Sequence, residues 1–442
     1  SALVSASTSN ITLKADAFAV AGTSPAGTMA IETTGTVQIV PNAATGFSVG
    51  SAITTLNVGK AFASANDSIA SFTLGNAITG GVFLVANGYI SSQGAINVSA
   101  NGLYLPPMRT KLASSSLSVN SGADLTLGGD LLVAGTGGTI SLQAGGSIIS
   151  AAAVTMTTAG GAVLLAACNA GGAGGRIDFG SNLSITTAGG AITLGGGDAT
   201  ASGYAIGNVA ATGNGLTVGG VLTLDSSVRS NGVATAGADI ILRAKSIASG
   251  SGSTWSGIYL TGASTIDAGT RKILLDGVGR NSIMSGASYG VYMGGIATWT
   301  SAFPGADAIT VLGTGGYNTA ASEGISFAVT GNTVTATGSG GGIALSANRY
   351  TGTAIAELAI MGGDFLAAGG PIVVSTTLVS SRTQLAGVTF GYKAGSAITA
   401  SASPITFRTG QFTTSGLSTF NTTGAVVVEP ATTTRRPNRC PT

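Results

Sequence analysis

The chain has 442 residues, of which 72 are glycine and 34 are charged (18 Lys+Arg, 16 Asp+Glu). That is 8% charged, where soluble domains ordinarily carry about 25%. Histidine is absent, which excludes catalytic triads and His-based zinc sites, and two cysteines, Cys168 and Cys440, support neither a dense disulfide framework nor a tetrahedral thiolate site.

With 44% apolar residues and 10 prolines, the chain has enough side chain to bury and is expected to fold. The start at Ser1, without a basic or apolar leader, fits a processed secreted protein or an excised fragment. The first predicted strand region, residues 1–15, contains Ala2, Leu3, Val4, Ile11 and Leu13. Short alternating segments then recur: Ile96–Ala100, Leu117–Asn120, Leu125–Leu127, Ile140–Ala144, Ile177–Phe179, Leu183–Thr186, Ile192–Leu194 and Val221–Asp225. The series continues through Ile240–Ala244, Ile273–Asp276, Ile325–Phe327 and Ile343–Leu345. In most of them period two places Ile, Leu and Val on one face. Glycine pairs such as Gly128-Gly129, Gly145-Gly146, Gly160-Gly161, Gly189-Gly190 and Gly219-Gly220 separate the strands and are expected to supply positive φ. Only Thr353 to Leu358 has a mildly helical pattern.

The triplet Ala-Ile-Thr at Ala52, Ala77, Ala191, Ala308 and Ala397 marks a degenerate repeat. Strands at this spacing predict an all-β parallel β-helix with turns of about 20 residues, hence roughly twenty coils and a rod on the order of 100 Å long. A sandwich would close after about nine strands, and an outer-membrane barrel would need aromatic girdles that are not evident. No apolar run reaches the roughly 18 residues of a membrane span. No proline occurs between Met108 and Phe303, as continuous stacking of coils requires.

The strings Gly122-Ala123-Asp124-Leu125-Thr126-Leu127, Gly138 to Ile148 and Ala238 to Ile247 resemble the shaft repeats of filamentous-haemagglutinin-type exoproteins, as does Ile266-Asp267-Ala268-Gly269 followed by Ile273 to Asp276. The resemblance covers roughly residues 96–350. It implies a right-handed β-helix, a secreted location and adhesive or scaffold duty at the cell surface.

Candidate chemistry is sparse. Asp225, Asp239, Asp267 and Asp276 with Arg243, Lys245, Arg271 and Lys272 form the densest charged stretch of the body. β-helical polysaccharide lyases and hydrolases cluster such groups around one groove; the bland reading is that charges at coil edges aid solubility. Gly195-Gly196-Gly197-Asp198 approximates a calcium repeat only once. The alternation Thr333-Val334-Thr335-Ala336-Thr337 suits an ice-binding ladder but is read as occurring once, without recurrence at coil spacing. Sequons begin at Asn10, Asn66, Asn97, Asn182 and Asn421. Cys168 is expected to be a small buried side chain.

The body is expected to be a single solenoid over residues 1–428, followed by a Pro/Thr/Arg-rich tail at 429–442. Without the tail's three arginines, 15 basic residues face 16 acidic ones, a balance of minus one that disfavours nucleic-acid binding. Raw solenoid ends expose unpaired strand edges, so the expected partner is a second copy joined end to end by strand addition. The candidate contacts are Ala2, Leu3, Val4, Ile11, Leu13, Val426, Val427, Val428 and Cys440. The reading is an extracellular structural protein, an adhesin shaft or filament subunit with no enzymatic activity and no cofactor. The alternative is a glycan-binding or glycan-cleaving β-helix, with ice binding third.

Overall fold

A computed structural model describes residues 2–5, 9–14, 17–18, 27–40, 47–49, 53–58, 71–75, 82–85, 89–110, 113–168, 174–196, 203–207, 213–246, 255–280, 287–316, 323–349, 357–378, 389–393, 397–409, 411–415 and 419–429. Every described element is a β-strand. The chain divides into two compact units, one of residues 1–205 and 218–228, the other of residues 206–217 and 229–442.

In each unit three strands make one coil and most strands pair with the strand three places on; between Ala205 and Ala236 extra strands intervene, so that Leu183–Thr186 pairs in parallel with Leu222–Asp225 four places on, and Val228–Ser230 pairs with Val233–Ala236 apart from the three ladders. This is a parallel β-solenoid with three ladders. In the first unit the first ladder runs through Ala2–Ser5, Gly27–Glu32, Ile53–Val58, Tyr89–Ser92, Met108–Thr110, Leu131–Thr136, Val154–Ala159, Leu183–Thr186 and Leu222–Asp225. In the second it runs through Ser264–Asp267, Ala297–Ser301, Thr333–Ala336, Asp364–Ala367, Ala397–Ala400 and Thr419–Asn421. Among the described residues this ladder has nine strands in the first unit and six in the second, fifteen coils against the roughly twenty expected. The reason is corner length: a coil needs three strands and three corners, and it runs from Ile96 to Leu117 in a short case and from Ile273 to Ile309 in a long one.

Alternation explains the strands. In Ile140–Ala144 the residues Ile140, Leu142 and Ala144 are fully buried and the two between them half-exposed. Stacked in register, these inward residues form columns. In the first unit Leu117, Ile140, Val163 and Ile192 stack, with Val119, Leu142, Leu165 and Leu194 beside them. In the second, six isoleucines, Ile240, Ile273, Ile309, Ile343, Ile372 and Ile405, form one column, all 0% exposed. Identical β-branched side chains at one coil spacing nest without voids, each burial stabilising by about 1.5–3 kcal/mol.

Larger side chains fill the second unit elsewhere. Trp299 packs on Phe327 with ring centroids 5.5 Å apart, and Phe327 meets Phe365 edge-on at 5.2 Å. The Trp299 indole N–H donates to Ser264 Oγ at 3.0 Å.

Corners carry a second kind of ladder. The carboxylate or amide oxygen of an Asp or Asn entering a strand accepts a backbone N–H from the next coil: Asn10 from Thr36 (2.9 Å), Asp124 from Ser147 (2.7 Å), Asn182 from Val221 (2.8 Å) and Asp239 from Lys272 (3.1 Å). Asn332, 1% exposed, joins three coils: it accepts from Ala297 N at 2.7 Å and donates to the carbonyls of Val329 and Gly362. Such bonds satisfy donors that the strand ladders miss at a corner. Prolines sit where no donor is needed: Pro371 and Pro404 immediately precede strands, and their carbonyls accept from Ile343 and Ile372.

The glycine pairs differ from expectation. Gly160 (φ 91°) and Gly189 (φ 107°) are left-handed, yet their partners Gly161 and Gly190, and both members of the pairs at 128 and 219, are not. A Cβ on Gly161 would overlap the Gly138 carbonyl oxygen, and one on Gly190 the Gly161 carbonyl oxygen. Close passage of one coil over the next, rather than backbone sign, selects most of these glycines. The same corner recurs as Thr157-Thr158-Ala159-Gly160-Gly161-Ala162 and Thr186-Thr187-Ala188-Gly189-Gly190-Ala191, where the buried hydroxyls of Thr158 and Thr187 donate to the carbonyls of Gly161 and Gly190.

The mildly helical segment is corrected where it can be seen: Glu357 and Leu358 open the strand Glu357–Met361, because their ladder neighbours impose extended backbone, while 353–356 lie outside the described residues. The Ala-Ile-Thr triplets mark strand starts rather than one face. Ile53 and Ala397 open strands of the first ladder, and Ile192 and Ile309 open strands of the second; Ala77 lies outside the described residues.

Candidate functional site

Two kinds of surface are left once the inward columns are assigned: the outermost coils and the outward-facing columns. At the start of the first unit, Ala2–Ser5 pairs with Met29–Glu32 and Ile11–Lys14 with Val37–Val40, leaving their other edges without a strand neighbour among the described residues. Ile11 is 8% exposed and Leu13 half-buried.

At the far end of the second unit, Val426–Glu429 pairs with Ile405–Arg408. Val426 continues the six-isoleucine column and Val428 the column ending in Val374 and Phe407. Their neighbours Ile405 and Phe407 are at most 1% exposed, but Val426 is 50% and Val428 61% exposed. Val427 is half-buried on the outer face, and Arg408 pairs with Glu429 at 2.9 Å. Cys440 lies outside the described residues. Cys168 is a small buried side chain, as expected, with a positive φ of 59° and its N–H donating to the Gly146 carbonyl at 2.8 Å.

The charged stretch is occupied by structural bonds. Asp225 accepts from the N–H and hydroxyl of Ser227 at 2.8 and 2.7 Å. Asp267, on the first ladder, holds Arg229 and accepts from Gly269 N at 2.9 Å. Asp276 stands beside Arg243 in register on the second ladder. Lys272 pairs with Asp307 at 2.6 Å and lies over the Phe303 ring. In the second unit these groups are spread over different ladders, Asp267 on the first and Asp276 on the second. Of the isolated glycine run, Gly195 and Gly196 close the strand Ile192–Gly196, and Asp198 lies outside the described residues.

An aromatic corner escaped sequence reading, because its members come together only through register. Tyr259 and Tyr292 stack on adjacent coils at 5.0 Å, and Tyr289 lies 4.7 Å from Tyr292. Burial first, and then the carboxylate of Glu323, push the Tyr289 hydroxyl far above its ordinary value; burial and Tyr292 raise Tyr259. Arg280, 4% exposed, lies 4.3 Å over the Trp255 ring, and burial lowers its guanidinium.

The threonine alternation at 333–337 does recur at coil spacing, contrary to the sequence reading. Register aligns Thr265, Thr298 and Thr333 in one outward column of the first ladder and Thr300 and Thr335 in the next. The spacing was hidden because the intervening corners differ in length.

The fold and these surfaces define a parallel β-solenoid. No family model, curated protein or solved structure matches the chain. Among the described residues no helix is long and apolar enough to cross a membrane.

Proposed function

We propose that the protein is an extracellular structural element, a β-solenoid shaft of an adhesin or the subunit of a surface filament, extended end to end by strand addition. One observation carries this reading: the buried columns run on into Val426 and Val428, which stand exposed on a strand whose other edge has no strand neighbour among the described residues. A further coil placed in register would bury them, stabilising by about 1.5 kcal/mol each, and would pair the open edge. The resemblance of residues 96–350 to filamentous-haemagglutinin shafts supports the same duty and a cell-surface location. The candidate acceptor is the first coil of a second copy, whose edge strands are Ala2–Ser5 and Ile11–Lys14.

Electron microscopy of the purified protein tests the proposal. Fibres with a regular axial repeat are expected, and V426D/V428D should leave separate particles by placing carboxylates in the joint. Separate particles from the unaltered chain at every concentration, or fibres that persist in V426D/V428D, would overturn end-to-end assembly. The second reading, glycan binding, is favoured by the tyrosine corner at 259, 289 and 292, since half-exposed rings stack on sugars; separate particles retained on a glycan array would replace the first reading with this one.

A further inference from the structure

We propose that Asn231-Gly232, at the tip of the hairpin 228–236, is a site of spontaneous covalent modification, where the Asn231 side chain closes on the Gly232 nitrogen and then hydrolyses to aspartate and isoaspartate. This inference does not rest on filament assembly. The hairpin consists of Val228–Ser230 and Val233–Ala236, which pair with each other and with none of the three ladders. Its two connecting residues are both left-handed, Asn231 at φ 50° and Gly232 at φ 79°, as a two-residue turn between twisted strands demands. Both are exposed, and the direction in which a Cβ would leave Gly232 is open space.

The reaction needs no reagent but water. The deprotonated Gly232 nitrogen attacks Cγ of Asn231; the N–Cγ bond forms, the Cγ–Nδ2 bond breaks, and ammonia leaves from a five-membered succinimide. Water opens that ring at Cγ to give aspartate, or at the main-chain carbonyl to give isoaspartate, through which the backbone runs one carbon longer. A glycine in second place leaves the attacking nitrogen uncrowded, because it has no Cβ. The nitrogen reaches Cγ only when the turn opens, and a lone two-stranded ribbon is marginally stable and opens readily. A strand paired on both sides within a ladder does not.

The fold, more than the dipeptide, singles out this site. Asn-Gly occurs at 87, 101, 214 and 231, and residue 87 lies outside the described residues. At Asn214, 2% exposed, every reacting group is tied. Its Oδ1 accepts from Ser256 N–H at 2.7 Å, its Nδ2 donates to Thr217 Oγ1 at 3.3 Å, and the Gly215 N–H donates to the Ser256 carbonyl at 3.1 Å. Asn101 is exposed, but Gly102 opens the strand Gly102–Leu105 and is held in register with Val82. Among the described residues no hydrogen bond engages the Asn231 side chain or the Gly232 N–H. The product also matters locally. Arg229 donates through Nη1 to the Gly232 carbonyl at 2.8 Å and through Nε to Asp267 at 3.0 Å, so the carboxylate created at 231 forms beside the guanidinium that ties the hairpin to the strand Ser264–Asp267. Isoaspartate, with its longer backbone, no longer fits a two-residue turn.

The test is incubation of the folded full chain at mildly alkaline pH, followed by peptide mapping in a mass spectrometer and by labelling with protein isoaspartyl methyltransferase. Trypsin releases the site within residues 230–243. Asn231 is expected to convert first and Asn101 more slowly. Asn214 should lag Asn231 by about a hundredfold, since three hydrogen bonds must open before it reacts. The same incubation in denaturant should bring the three sites to similar rates, and N231Q should abolish the methyl label in residues 230–243. Asn231 left intact in the folded chain, Asn214 keeping pace with it there, or the same order of rates persisting in denaturant would overturn the inference.

Discussion

Replacing Trp299 by alanine should unfasten a few coils rather than the whole chain. Trp299 is fully buried, packs against Phe327 at a tilt with ring centroids 5.5 Å apart and donates to Ser264 Oγ. A tryptophan buries about 200 Å², worth about 5 kcal/mol at 25 cal/mol/Å² as an upper estimate. Measured truncations of this kind cost about 3–5 kcal/mol, so W299A is expected to cost about 4 kcal/mol. W299F keeps most of the ring contact and loses the hydrogen bond and part of the area, about 1.5–2 kcal/mol. In a solenoid each coil contacts only its neighbours, so the loss should be local. Hydrogen exchange followed by mass spectrometry reads it by segment. Protection should fall in Ala297–Ser301, Ile325–Phe327 and Asp364–Ala367 and hold in Leu117–Ser121 and Ile140–Ala144 of the first unit. A loss below about 1 kcal/mol, or an equal loss in both units, would refute the packing argument.

Two further outcomes are expected. Gly161 and Gly137 separate close approach from backbone sign: Gly137 has φ 75° with open space at its Cβ position, whereas Gly161 faces the Gly138 carbonyl. G137A should cost about 1–2 kcal/mol from its left-handed backbone, and G161A more than about 3 kcal/mol because backbone cannot move aside as a side chain does; denaturant titration giving the reverse order would sink the explanation. Alkaline stability should follow the tyrosine corner. Tyr259 and Tyr289 are raised above the ordinary value, so the unfolded chain loses those protons first; stability is complete below about pH 10 and declines as pH rises beyond it. Y289F should flatten that decline in denaturant midpoints measured across alkaline pH, and an unchanged slope would count against it.

The strands were legible in the sequence because a half-buried strand writes its geometry into period two. Ile140–Ala144, Leu125–Leu127 and Ile325–Phe327 stand where the alternation puts them. Register was not legible. The six stacked isoleucines and the threonine columns are separated by corners of unequal length, so no fixed period connects Ile273 to Ile309 and Ile343 to Ile372. Nor could sequence alone say that Asn10, Asp124 and Asn182 would spend their oxygens on the next coil's backbone, since an Asp or Asn before a strand also suits an ordinary turn. The tyrosine corner was hidden for the same reason: Tyr259 and Tyr292 are neighbours only across a coil.

The scarcity of charge then has a structural cause. A stacked coil leaves few polar backbone groups unpaired, and those lie at corners, where a single carboxylate or amide oxygen in the right place closes the gap. Asp124, Asp130, Asp239 and Asp364 all serve so, each accepting a backbone N–H of the following coil. Additional charges along the outward columns would stand about 4.8 Å from their counterparts above and below, and like charges at that distance repel. Outward columns of Thr and Ser avoid the repulsion and remain soluble. The same requirement that keeps charged residues sparse on the outer faces therefore leaves stretches of them as periodic arrays of hydroxyl and methyl groups, a by-product of the solenoid's own stacking.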